Sequence, residues 1–126
     1  MKSAHRFGFT LIELLVVMTI ISVLLTLAMP RYFHSIEKSK EAVLRDDLSI
    51  LRDSLDKYYG DNGKYPDSLD ELVTRKYLRA IPQDPITESA ATWVTVPPDD
   101  PDQGAVYDVK SGATTEALNG TQYAQW

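Results

Sequence analysis

Gly8-Phe9-Thr10-Leu11-Ile12-Glu13 opens an apolar run that continues to Met29, and Glu13 is the single charged residue from Phe9 onward in that run. As an α-helix, the run would extend over about 31 Å, close to the hydrocarbon thickness of a lipid bilayer. An ionisable group inside a membrane segment is costly, so it usually has a partner and a function. The run therefore predicts a membrane-spanning helix in which Glu13 has a specific role.

The residues before this run form a short basic segment. It carries Lys2 and Arg6 and contains no acidic residue before Glu13. Because positive charge beside an apolar helix stays in the cytoplasm, we expect the N-terminus inside and Pro30 onward outside the membrane. The apolar run is longer than that of an ordinary secretory signal, although Thr26-Leu27-Ala28 leaves conventional cleavage open.

The helix is expected to continue beyond the membrane. Apolar residues recur there with a 3.6-residue period, and Glu41–Arg45 is an ion-pair spacing on the same helix. Gly60 predicts the helix end, and Pro30 is expected to bend or weaken the helix near the membrane surface. The periodic residues are Ile36, Val43, Leu44, Leu48, Leu51, Leu55, Tyr58 and Tyr59.

The remaining residues predict a small mixed domain. Ser68, with Glu71 three residues later, fits a capping box that opens a short helix reaching as far as Tyr77. The proline-rich segment 81–85 is expected to cross the surface in an extended form. The following stretches 92–96 and 106–109 are rich in β-branched and aromatic residues and predict two paired strands.

Together these elements predict an α+β fold, with one long N-terminal helix packed on a small antiparallel sheet. The predicted organisation is a basic leader at 1–8, a membrane helix at 9–29, an amphipathic continuation at 30–60 and a C-terminal domain at 61–126.

Composition and motifs exclude several functional classes. The chain has 126 residues and a net charge of −5, which argues against binding the phosphates of nucleic acids. It has no cysteine, so a disulfide framework and thiolate metal sites are excluded. Its two histidines, His5 and His34, are far apart in the sequence, and no nucleophile motif accompanies them. We therefore expect a non-enzymatic protein.

The N-terminal residues closely resemble the class III signal of the type IV pilin-like family. The resemblance rests on the basic leader, on Gly8, and on Phe9-Thr10-Leu11-Ile12-Glu13 before a long apolar helix. It implies cleavage between Gly8 and Phe9 by a prepilin peptidase, followed by N-methylation of Phe9. It also implies that Glu13 pairs with the N-terminal amine of a neighbouring subunit, and that Pro30 marks a kink or a loosened stretch of helix.

Two later segments are similar to the major pseudopilins of type II secretion, namely 61–66 (Asp-Asn-Gly-Lys-Tyr-Pro) and 78–85, which ends in Pro-Gln-Asp-Pro. Residues 107–112 add to the similarity. The resemblance implies an inner-membrane structural subunit that polymerises with copies of itself into a periplasmic filament promoting protein export. Its implied partners are minor pseudopilins, the prepilin peptidase, membrane lipid and a membrane assembly platform with a cytoplasmic ATPase.

Two alternatives remain open from the sequence. One is a subunit of a type IV or competence pilus, which has the same N-terminal signal. The other is a single-span periplasmic binding module that never polymerises.

The same resemblance implies calcium in a C-terminal loop rich in aspartate. In this chain the corresponding stretch, 113–121, contains one acid, Glu116. No cofactor is required by any motif, and calcium remains possible at another group of acids, because it takes six to eight oxygen ligands. The candidate ligands for this site are Asp99, Asp100, Asp102 and Asp108.

Overall fold

A computed structural model of the chain describes residues 8–126 and contains two helices, a two-stranded sheet and two short 3₁₀ helices. Helix α1 spans Leu11–Asn62 and α2 spans Leu69–Thr74; the strands are β1, Val94–Val96, and β2, Asp108–Lys110. The described chain divides into two compact units, one ending at Ile36 and one spanning Glu37–Trp126. All of the predicted leader except Gly8 lies outside the described residues.

The second half of α1 provides the main packing surface of the C-terminal unit. Its buried leucines recur every three or four residues, which confirms the predicted amphipathic period. One cluster joins Leu44, Leu48 and Leu51 to Trp93 and to the residues around β2. Val43 and Tyr59, in contrast, are exposed, so the apolar surface is narrower than the sequence indicated.

The end of α1 lies further along the chain than predicted. Gly60 is inside the helix, which continues to Asn62, so the prediction that Gly60 ends the helix is wrong. Gly63 takes the left-handed conformation with φ of 72°, and its N–H donates to the Tyr59 carbonyl at 2.8 Å. Gly63 therefore is the residue whose conformational freedom closes α1.

Helix α2 is shorter than predicted, and its capping differs from the predicted capping box. It ends at Thr74, and the Ser68 hydroxyl makes no capping hydrogen bond. The Glu71 carboxylate instead accepts from the Asp67 N–H at 2.7 Å and from the Tyr58 hydroxyl at 2.9 Å. The Asp67 N–H and the Tyr58 hydroxyl lower the pKa of Glu71 against the opposing effect of its burial. Glu71 thus links α2 to α1.

The two strands pair antiparallel, with Thr95 opposite Val109, but each begins two residues later than predicted. Before β1, Trp93 is buried and donates from its ring nitrogen to the Pro82 carbonyl at 2.8 Å. Before β2, the Val106 N–H donates to the Pro66 carbonyl at 3.0 Å. Val106 therefore bonds outside the sheet, whereas the next residue, Tyr107, donates from its N–H to the Val96 carbonyl at 2.8 Å.

Asp84 is the one buried residue of the proline-rich segment 81–85, in which Gln83 is exposed as predicted for a segment at the surface. Its side chain is fully buried, and its carboxylate accepts from the Ser111 hydroxyl at 2.5 Å and from the Ile86 N–H at 2.8 Å. A buried carboxylate is tolerated when such hydrogen bonds satisfy it. Asp84 therefore ties its own turn to the end of β2.

The corrected helix end predicts opposite effects at two glycines. Gly60→Ala should stabilise the C-terminal unit by about 0.5–1 kcal/mol, because alanine is favoured over glycine inside a helix. Gly63→Ala should destabilise it by about 1–2 kcal/mol, because a left-handed conformation is strained for alanine. Neither new Cβ would meet another atom within 4 Å, so each variant isolates the backbone effect. Chemical denaturation in detergent, followed by tryptophan fluorescence, measures both changes; the reverse order would place the helix end at Gly60.

Candidate functional site

The first turn of α1 is fixed by Thr10. The Thr10 hydroxyl oxygen accepts the Glu13 N–H at 3.1 Å, and the Thr10 carbonyl accepts the Leu14 N–H at 3.1 Å. Thr10 and Glu13 thus occupy the cap and third positions of a capping-box spacing, a signal that the sequence analysis did not use. α1 consequently begins at Leu11, and Phe9 precedes the helix.

Glu13 lies in this first turn, where the helix dipole favours negative charge. Within residues 8–126 its carboxylate makes no hydrogen bond or ion pair, and its backbone N–H is the group held by Thr10. An ionised carboxylate surrounded by apolar side chains costs free energy unless a positive or hydrogen-bonding group reaches it. The carboxylate is therefore free to take a partner from outside the described chain.

The surface around Glu13 is apolar and uncovered. Every residue from 9 to 29 is exposed, and α1 contains a window with mean hydropathy 2.6 that is long and apolar enough to cross a membrane. Its hydroxyl groups are satisfied internally, since Thr19, Ser22 and Thr26 each donate to the carbonyl four residues earlier at 2.8 Å. Such a surface requires lipid or an apolar protein partner around it.

Pro30 lies inside α1 and does not terminate it. Proline supplies no N–H to the carbonyl one turn earlier, so one helical hydrogen bond is missing at this point. The helix is continuous on both sides of Pro30, and a loosened stretch in the assembled protein stays a prediction.

The four candidate calcium ligands do not form one group. Asp100 accepts the Asp102 N–H at 3.0 Å and caps the short 3₁₀ helix Pro101–Gln103. Asp108 lies on β2, where its carboxylate accepts from the Arg52 side chain at 2.8 Å. Among residues 8–126, no three histidine, aspartate or glutamate side chains lie close enough to hold a metal ion. Asp108 is thus engaged by Arg52 in this structure, and calcium binding by these aspartates stays a prediction.

Glu41 is a buried acid whose hydrogen-bond partners the sequence analysis misassigned. It was expected to pair with Arg45, but its carboxylate accepts from the Leu118 N–H at 2.7 Å and from the Tyr123 hydroxyl at 3.0 Å. Arg45 instead lies over the Trp126 ring, 4.4 Å from the ring centre. The sequence offered no signal for this arrangement, because the partners of Glu41 are 77 and 82 residues away.

Comparison with known proteins agrees with the geometry of the N-terminal helix. Residues 3–29 match the family described as the prokaryotic N-terminal methylation motif. The type II secretion system core protein G of Aeromonas hydrophila is 32% identical over 101 residues, which cover 68% of this chain and 71% of that protein. The chain belongs to the core protein G family of type II secretion.

Other core protein G relatives give similar values. That of Pectobacterium carotovorum is 35% identical over 94 residues, covering 62% of this chain and 60% of that protein. That of Pseudomonas aeruginosa is 31% identical over 101 residues, covering 68% and 71% respectively. No solved structure matches the chain. The family assignment confirms the predicted resemblance and the pilin-like α+β fold, in which a long helix precedes a small sheet.

The core protein G resemblance implies calcium in a loop that, in this chain, lacks the appropriate ligands. Glu116 is the one acid between residues 113 and 121, and its carboxylate accepts from the Gln122 side chain at 3.2 Å. The Asn119 side-chain oxygen accepts from the Thr121 hydroxyl and N–H. Calcium prefers several carboxylates among six to eight oxygens, so the donor set of this loop does not fit the ion.

Tyr123 gives this region an alkaline pH dependence. Burial, with its hydrogen bond to Glu41, raises the pKa of Tyr123 to about 12, whereas a tyrosine in an unfolded chain has a pKa of about 10. Between these values the folded chain retains a proton that the unfolded chain has lost. The free energy of unfolding should therefore fall as pH rises through this window, and the contribution of Tyr123 should be complete below it.

Tyr123→Phe tests this dependence. Wild-type protein and the variant should be unfolded by denaturant at a series of pH values, and the wild type should lose more stability between pH of about 10 and about 12. The other tyrosines are common to both proteins, so the difference between the two curves reports Tyr123. Parallel curves would show that its hydroxyl titrates normally in the fold.

Proposed function

We propose that this chain is a structural pseudopilin that polymerises into a periplasmic pseudopilus and promotes protein export across the outer membrane. The observation that carries the proposal is the uncovered apolar half of α1, in which Glu13 is the single charge from Phe9 to Met29. Membership of the core protein G family supports the same function. Anchored by this half of α1, the chain has its N-terminus in the cytoplasm and its C-terminal unit in the periplasm, and it lies in the inner membrane before assembly.

Processing would create the partner that Glu13 lacks. Cleavage between Gly8 and Phe9 by a prepilin peptidase generates an amine at Phe9, which is then N-methylated and remains positively charged. Thr10 fixes Glu13 in the adjacent first turn of α1, so the mature terminus carries both signs of charge within a few residues. A neighbouring subunit carries the same two charges. The Glu13 carboxylate of one subunit can therefore meet the Phe9 amine of the other when their helices lie side by side with the correct stagger.

The charge pair mainly selects the stagger between neighbouring subunits and adds little net stability to the filament. Opposite charges attract strongly in a low dielectric, but removing them from water offsets much of that gain. A wrongly staggered neighbour leaves both charges uncompensated among apolar side chains, which is the costly state. Pro30, with its missing hydrogen bond, supplies a place where the helix loosens during this rearrangement.

Other components complete the proposed machine. Minor pseudopilins join the same filament, and an inner-membrane platform with a cytoplasmic ATPase supplies the force. The chain itself contains no glycine-rich phosphate loop, and we propose that it is not an enzyme.

The first test of this proposal is the mass of the mature N-terminus. Protein purified from membranes of cells with the secretion system should begin at Phe9 and carry one methyl group on its amine. A Gly8→Glu variant should keep the leader, because it replaces the glycine of the proposed cleavage dipeptide with a larger, charged residue. Wild-type protein that retains Met1 and the complete leader would instead indicate a plain membrane anchor.

The second test is Glu13→Gln, which removes the charge but keeps the size of the side chain. Membrane insertion should be unchanged, whereas the amount of sheared filament should fall about tenfold or more, because a lost charge-assisted contact costs ~1.5–3 kcal/mol. Glu37→Gln, an exposed acid on the same helix, is the matched control and should assemble normally. Filaments from Glu13→Gln in wild-type amounts would refute the pairing role.

A further inference from the structure

Charged residues along one edge of α1 hold the C-terminal segment, defined here as residues 111–126. Glu41 accepts from Leu118 and Tyr123, and its side chain is buried, with 8% of the residue exposed. One turn later, Arg45 stacks on Trp126. Further along, Arg52 donates to the Trp126 carbonyl at 2.9 Å. One helix thus contacts the segment at several points through its charged side chains.

The chemistry at Glu41 is opposite to that of a calcium site. A cation draws acceptor oxygens of a loop toward one point, whereas a carboxylate draws donors. At Glu41 the segment presents two donors, the backbone N–H of Leu118 and the hydroxyl of Tyr123. The acceptor oxygens that a cation would need, on Glu116 and Asn119, are engaged by side chains and backbone of the segment itself.

We infer that in this chain the Glu41 carboxylate fastens the C-terminal segment to α1, and that no divalent cation is needed there. Hydrogen bonds to an ionised carboxylate are stronger than those between neutral groups. Loss of the carboxylate leaves the Leu118 and Tyr123 donors without their acceptor, which is the costly outcome for buried polar groups. This inference concerns the fold of the C-terminal unit and is independent of filament assembly.

Hydrogen exchange on the complete chain in detergent micelles tests the first part of the inference. Backbone exchange across residues 113–121 should be the same in calcium chloride and in the chelator EGTA. A wild-type segment that exchanges about tenfold more slowly with calcium than with chelator would overturn the inference, because the ion would then supply the fastening.

Variants test the second part. Glu41→Gln should speed exchange at the Leu118 amide by about tenfold or more, since a charge-assisted bond is replaced by a weaker neutral one. Asp46→Asn, which alters an exposed acid on the same helix, is the matched control and should exchange at the wild-type rate. Tyr123→Phe removes one hydrogen-bond donor and keeps the aromatic ring, and it should speed exchange in the segment. This second variant keeps the test decisive if Glu41→Gln fails to fold. Wild-type exchange in both Glu41→Gln and Tyr123→Phe would overturn the inference.

Discussion

The burial of the leucine stripe on the second half of α1 is the constraint on which the C-terminal unit depends. A sheet of two short strands has too little surface to be stable alone. Leu44, Leu48 and Leu51 provide the apolar surface against which Trp93 and the residues around β2 pack. Further along, Leu55 and Tyr58 do the same for α2 through Leu72. The C-terminal unit is therefore organised by the helix, and the sheet is one of several elements that cover it.

Polar contacts then set the positions of the segments between these apolar contacts. Asp84 fixes its turn to Ser111, and Glu71 joins α2 to Tyr58. Gly104, with φ of 107°, lies where a Cβ atom would collide with the Tyr65 carbonyl, so the loop before β2 passes close to the chain after α1. Arg52 adds a tie from α1 to β2 through Asp108. These residues explain how a unit with so little regular structure maintains a defined fold.

The features that the sequence predicted well are those with a local period or a local motif. The apolar run, the 3.6-residue period of α1 and the order of helix before sheet each depend on neighbours within one or two turns. Features decided by distant partners were missed or wrong. The helix end is a local feature that was also predicted wrongly: Gly60 and Gly63 are both suitable helix stops by composition, and Gly63 is the one in the left-handed conformation. Glu41 was assigned to the nearby Arg45, but in the fold its carboxylate accepts from residues near the end of the chain.

The N-terminal half of α1 shows the same separation between local and distant information. Its apolar character and the special position of Glu13 follow from the sequence, and Thr10 shows how the first turn is closed. The partner proposed for Glu13 belongs to another molecule, so the fold of a single chain does not contain it.

The hydroxyls of Thr19, Ser22 and Thr26 have a consequence for how α1 changes its surroundings. Each is already bonded to its own helix, so moving this surface from acyl chains to the side of another protein breaks no polar bond at these positions. The two environments are then nearly equal solvents for the helix, since both are apolar. In the proposed assembly, the Glu13 carboxylate is therefore the group for which this change of surroundings costs the most free energy.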